Sequence, residues 1–144
     1  MGSLRLTMAY LLDSNICIAI INKNAPPRFT AALNQALRSD EELFVPTIAV
    51  HELWYGAAKS QRRKANSNNL IEFLSDPFKI LNFDANDARR AGEIRAELAR
   101  RGTPIGPYDV LIAGQALARG LTLVTANTRE FARVDGLSLA NWTE

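Results

Sequence analysis

Five residues of this sequence could act together chemically: Asp13, Glu52, Asp109, Asn127 and Glu130. Carboxylates gathered at one place repel each other unless a cation lies between them. A hard divalent ion relieves that repulsion, polarises a phosphate and lowers the pKa of a bound water. Cys17 and His51 are the only cysteine and histidine, so a zinc site built from several sulfur and nitrogen ligands is excluded. Oxygen donors suit Mg²⁺, with Mn²⁺ as a possible substitute. Plainer readings exist for each residue. An aspartate just after a strand often caps or turns the chain. The helix dipole alone favours an aspartate such as Asp109 in a first helical turn. Asn127-x-x-Glu130 matches a capping box. Asp13 resists the plain reading best, because an ionised group between Leu12 and Ile16 normally has a partner.

The elements that must position these residues alternate between strand and helix. Ala9-Tyr10-Leu11-Leu12 reads as a buried strand that ends at Asp13, and Ser14 can N-cap the apolar turn after it. Pro26-Pro27 restarts the chain, and Phe29, Leu33, Ala36 and Leu37 repeat at helical spacing. Leu43 to Val45 is a second strand closed by Pro46, and Thr47 to Lys59 a helix carrying Glu52. Residues 60–69 are polar and basic, a mobile loop or a solvated helix end, before a short helix from Leu70 to Leu74. Lys79 to Phe83 is a third strand. Asp84 then caps a long helix that Gly102 stops. Pro107 opens a further helix, with Asp109 in its first turn, that ends at Gly120. Leu121 to Thr125 is a fourth strand, and Leu137 to Leu139 a candidate fifth. Short strands without strict alternation predict a three-layer α/β/α sandwich around a mainly parallel sheet of four to five strands. In such sheets ligands bind beyond the carboxyl ends of the strands, where these acidic residues fall.

The chain is expected to be one domain over residues 8–144, with residues 1–7 an added remnant or disordered start and Met8 a natural beginning. No apolar run approaches a membrane span, and residues 1–7 lack the apolar core of a signal peptide, so a cytoplasmic protein is expected. The net charge of +2 permits nucleic-acid binding without arguing for it.

The motifs, in order, resemble a known family. Leu11-Leu12-Asp13-Ser14-Asn15-Ile16 is similar to the opening motif of PIN-domain nucleases, with Ser for the usual Thr. Glu52-Leu53-x-Tyr55-Gly56-Ala57 is the second motif. Ile94-Arg95-Ala96-Glu97-Leu98 through Gly106-Pro107-Tyr108-Asp109 to Ile112-Ala113 is the third, and Val124-Thr125-x-Asn127-Thr128-Arg129-Glu130-Phe131 the fourth. Within that superfamily the set resembles the VapC toxins of bacterial toxin–antitoxin pairs, from Met8 to Trp142. The resemblance implies a PIN-like fold and a metal-dependent endoribonuclease whose metal is held by Asp13, Glu52 and Asp109. It also implies a cognate antitoxin in the cleft, a homodimer, and inhibition of translation and growth. Many PIN domains carry Asp where Asn127 stands. Asn127 could ligate through its carbonyl oxygen, or Glu130 could supply the missing carboxylate.

The expected reaction is in-line attack of a Mg²⁺-activated water on a phosphodiester, leaving 5′-phosphate and 3′-hydroxyl ends. A metal-free route needs an acid–base pair titrating near neutrality, and a lone histidine does not provide one. Ser14 could orient Asp13 or simply cap the helix, and Asn15 and Thr125 are further candidates for substrate or supporting contacts. Arg95 is a candidate to reach the cluster. Arg62, Arg63, Lys64, Arg89, Arg90, Arg100 and Arg101 form either solvated faces or phosphate grips. His51 is expected to be a surface or packed residue, and Trp54 and Tyr55 to lie in the core or a dimer interface. A phosphatase built on a nucleophilic Asp13 would want a second Asp where Asn15 stands. A non-catalytic RNA- or protein-binding module is the remaining alternative. Nothing in the sequence selects among tRNA, rRNA and mRNA as substrate.

Overall fold

A computed structural model describes residues 8–144; the reading of residues 1–7 lies outside them. The order is β1 (Ala9–Leu12), α1 (Ser14–Asn22), α2 (Pro27–Arg38), β2 (Glu42–Pro46), α3 (Thr47–Lys59), α4 (Arg63–Phe73), β3 (Lys79–Leu81), α5 (Ala85–Arg100), α6 (Pro107–Arg119), β4 (Thr122–Val124), α7 (Thr128–Phe131) and β5 (Leu139–Ala140). The strands form one sheet in the order β3-β2-β1-β4-β5, and every pairing is parallel. This is the expected three-layer α/β/α sandwich, with five strands.

Successive side chains of a strand point to opposite faces, so the apolar run of β1 feeds two cores at once. Leu11, paired with Leu123 of β4, packs against Ile94 and Leu98 of α5 and Val110, Ile112 and Ala113 of α6. Leu12, beside Val45 and Val124, packs against Ile16 of α1, Phe29 of α2, Leu53 of α3 and Leu70 of α4. Both leucines are fully buried. Helices α5 and α6 approach closely because Gly114 has no side chain: a Cβ there would lie 2.6 Å from Ala91. That contact fixes where the first turn of α6, and hence Asp109, sits.

Four local expectations need correction. Asp13, not Ser14, caps α1: its side chain accepts the Ile16 N–H. Of the two readings of the polar stretch after residue 60 the mobile loop falls and the helical one stands, since α4 begins at Arg63, with Asn66 donating to the Ser60 hydroxyl at 2.9 Å. The fifth strand is displaced to Leu139–Ala140. A short helix, α7, follows Asn127, which makes no capping bond there. Trp142 closes the C-terminal edge of the domain, against Tyr10 and Phe29.

Candidate active site

Strand β1 is where the chain order reverses. From it the chain builds outward through β2 and β3, then crosses to β4 on its other side. The crevice beyond the carboxyl ends of β1 and β4 is therefore the switch point at which parallel sheets bind ligands. Asp13 ends β1 there, with its backbone N–H bonded to the Val124 carbonyl of β4 at 3.2 Å. Its Oδ1 accepts from the Ile16 N–H at 2.8 Å, and the residue is 4 % exposed.

The other candidates are brought in from three elements. Glu52 projects from α3, and the Ser14 hydroxyl donates to its Oε1 at 2.6 Å. Ser14 thus anchors Glu52, a role its position as a supposed cap concealed. Asp109 lies in the first turn of α6, with its Oδ2 folded over Gly106. Thr125 is buried at the end of β4, where its hydroxyl accepts the Asn127 N–H at 2.9 Å. Both Glu130 oxygens are engaged: Oε1 accepts from the Gly106 N–H at 2.9 Å, and Oε2 from the Asn127 side-chain amide at 2.8 Å. Glu130 therefore clamps the start of α6 to the turn after β4. Gly106 is the site residue that sequence reasoning missed, because a backbone N–H leaves no chemical signature.

The electrostatics show convergence. Burial pushes Asp109 up to about 6, and the charges of Glu130, Asp13 and Glu52 push in the same direction. Burial also raises Asp13; bonds from Thr125 and the Ile16 N–H offset it in part, and the Glu52 charge adds to it. No cation among the described residues contributes to either shift. Glu130 instead falls below its ordinary value, held as a carboxylate by the Gly106 N–H and Asn127.

Several candidates stay outside this cluster. Asn15 is exposed, without a side-chain hydrogen bond among the described residues. Arg95 is exposed on α5 and makes no hydrogen bond or ion pair with a described residue, so it does not reach the carboxylates. Glu97 pairs with Arg100 at 2.7 Å on the surface. Trp54 and Tyr55 are exposed, which removes the core reading for both.

Among the described residues, no three Asp, Glu, His or Cys side chains stand close enough to enclose one metal ion. Zinc-type cages are thus absent from that part of the chain. Mg²⁺ makes no such demand: it keeps several waters and takes one or two carboxylates. An all-oxygen donor set whose members raise each other's pKa fits that ion.

A PIN-domain family model matches residues 10–137. A VapC of Shigella flexneri, named a tRNA(fMet)-specific endonuclease, is 44 % identical over 137 residues, covering 94 % of this chain and 99 % of its own. The chain belongs to the VapC family of PIN-domain ribonucleases. The ribonuclease VapC2 of Rickettsia felis is 40 % identical, covering 94 % of this chain and 98 % of its own. In a crystal structure of Rickettsia felis VapBC2 bound to a promoter DNA fragment, one chain superposes with a TM-score of 0.86 at 38 % identity, covering 94 % of this chain and 99 % of that one. A chain of DNA-bound VapBC from Salmonella typhimurium gives 0.83 at 40 % identity, with 94 % and 99 % covered.

Proposed function

We propose that this VapC-family chain is a Mg²⁺-dependent endoribonuclease and the toxin of a toxin–antitoxin pair, acting in the cytoplasm to stop translation and growth. The observation that carries the reading is the group of mutually repelling carboxylates at the switch point, with no cation among the described residues to balance them. Asp13, Glu52 and Asp109 would hold the ion, one or two of them directly and the remainder through its bound waters. Bound there, Mg²⁺ would polarise the phosphodiester and lower the pKa of a water.

The chain's own residues do the rest by orientation. Ile16 fixes Asp13 through Oδ1, and Ser14 fixes Glu52 through Oε1. Glu52 keeps its second oxygen for ligation, while Asp13 is held by Thr125 as well. Glu130 acts at one remove: it holds Gly106 and, through it, the turn that presents Asp109. Both its oxygens are occupied, so Asn127, whose amide nitrogen faces Glu130, is the better candidate for the fourth position, through its carbonyl oxygen. Attack by water makes the 2′-hydroxyl unnecessary for chemistry, so RNA preference rests on fit.

The solved relatives are VapBC complexes, which supports a cognate antitoxin as partner. The exposure of Trp54 and Tyr55 supports an interface between two copies of the chain. The Shigella and Salmonella relatives are named for tRNA(fMet), which makes an initiator tRNA the first substrate to try. The test is cleavage of that tRNA by antitoxin-free protein with Mg²⁺ or with EDTA, followed by end-group analysis. We expect Mg²⁺-dependent cuts with 5′-phosphates. Cyclic 2′,3′-phosphate ends, or cleavage that persists in EDTA, would overturn the mechanism.

A further inference from the structure

Two exposed aromatic rings stand beside the acidic site, each preceding one of its carboxylates in sequence. His51 precedes Glu52, and Tyr108 precedes Asp109. Their ring centroids lie 5.7 Å apart with planes tilted by 58°, so they meet across the seam between α3 and α6. Tyr108 is 44 % exposed.

Tyr108 also lines an open cleft of about 300 Å³ between α5 and α6. Ala91, Gly92 and Leu111 give that cleft an apolar surface, and Arg95 is its only charged lining residue among those described. Arg90, Arg100 and Arg101 of the α5 region are each paired with a carboxylate. Arg95 has no such partner among the described residues. The cleft therefore offers an aromatic face, an apolar surface and a free guanidinium, starting one residue from Asp109.

A nucleotide matches all three features. A base stacks on an aromatic face with little regard to its identity, and a guanidinium engages phosphate in a two-pronged fork. We propose that the α5–α6 cleft, with Tyr108, His51 and Arg95, is a subsite for one unpaired nucleotide of an RNA strand whose adjacent phosphate lies at Asp13, Glu52 and Asp109. The subsite rests on the RNA-cleaving reading above. It assigns RNA recognition to residues that neither bind the ion nor touch the reacting phosphate.

The test uses full-length protein and single-stranded RNA carrying an abasic nucleotide beside the cleavage site. Binding is measured by fluorescence anisotropy in the non-cleaving Asp13→Asn background, and steady-state cleavage in the otherwise native chain. Removing the base should weaken binding about tenfold. Tyr108→Leu should weaken binding of intact RNA by a similar factor and make the abasic RNA no worse. In cleavage it should raise KM and leave kcat within about twofold, with Tyr108→Phe behaving as native. Arg95→Ala should reduce the slope of log affinity against log salt by about 0.7, one phosphate contact to a single strand. Native affinity in Tyr108→Leu and Arg95→Ala would overturn the subsite. So would a change of oligomeric state in Tyr108→Leu by light scattering, which would make the cleft a contact between copies. An intact abasic effect without any Mg²⁺-dependent cleavage would uphold the subsite and defeat the nuclease reading.

Discussion

Asp13 and Asp87 are both buried aspartates at the start of a helix, 4 % and 0 % exposed. The fold treats them differently. Asp87 forms a reciprocal capping box with Asp84 and accepts from Arg119 at 3.0 Å on each oxygen and from Gln115 at 3.2 Å. Burial pushes its pKa up, and Arg119 with the Asp84 cap more than reverses this. Asp13 has a comparable backbone cap from Ile16 and no guanidinium. Burial raises its pKa, the nearby Glu52 charge adds to the rise, and its own charge in turn raises Asp109. One buried carboxylate is thus completed by the chain itself. The other is left without a compensating cation among the described residues, at the sheet edge where the proposed ion would sit.

The sharpest way to break this comparison is to neutralise each aspartate in turn. Asp13→Asn or Asp109→Asn should cut RNA cleavage more than about 100-fold, since even the outer partners of metal ligands cost 10–100-fold. The same variants should leave the ion-free fold as stable as before or more so, because they relieve repulsion. A large loss of denaturant midpoint in Asp109→Asn would refute the idea that the site is electrostatically unbalanced. Arg119→Ala should do the reverse, costing on the order of 3 kcal/mol by leaving Asp87 buried and unpaired, with cleavage per folded molecule preserved. Gly114→Ala should cost about 1–3 kcal/mol by overpacking α5 against α6, with reduced activity because Asp109 moves with α6.

A smaller effect separates the two aspartates by pH. Asp109 has a folded pKa of about 6 against an ordinary 3.8. Between those values the folded chain holds a proton that the unfolded chain has shed, so ion-free stability falls as pH rises through this window. Asp87 is shifted the other way, so its contribution is present above 3.8 and is lost as pH falls below it. Thermal melts across pH should flatten the first limb in Asp109→Asn and the second in Asp87→Asn. Saturating Mg²⁺ should remove the first limb alone.

Signals confined to a few residues were legible in the sequence. The Asp84 cap, the Gly102 and Gly120 stops and Pro107 placed α5 and α6 to within a residue or two, since each acts through local backbone geometry. The positions of Asp13 at a strand end and Asp109 in a first helical turn were legible for the same reason. Helix α4 was not, because Arg62 to Asn69 has no apolar period. Its burial comes through Leu70 and Phe73, which pack into the α1–α3 core. The Asp87–Arg119 pair was hidden by 32 residues of separation, so Asp87 drew no attention. The role of Glu130 was hidden for a similar reason. Asn127-x-x-Glu130 looked like a local cap, whereas its decisive bond runs to the Gly106 backbone 24 residues away.

The central claim is that the switch-point carboxylates share an uncompensated charge that Mg²⁺ relieves. Calorimetric titration of Mg²⁺ into the antitoxin-free protein at pH 6, in buffers of different ionisation enthalpy, tests it most directly. The account predicts saturable binding that releases about half a proton per site, because Asp109 is half protonated there and must deprotonate to ligate. It also predicts loss of that binding in Asp13→Asn and of the proton release in Asp109→Asn. Undetectable binding to the native chain, or binding unchanged in both variants, would contradict it.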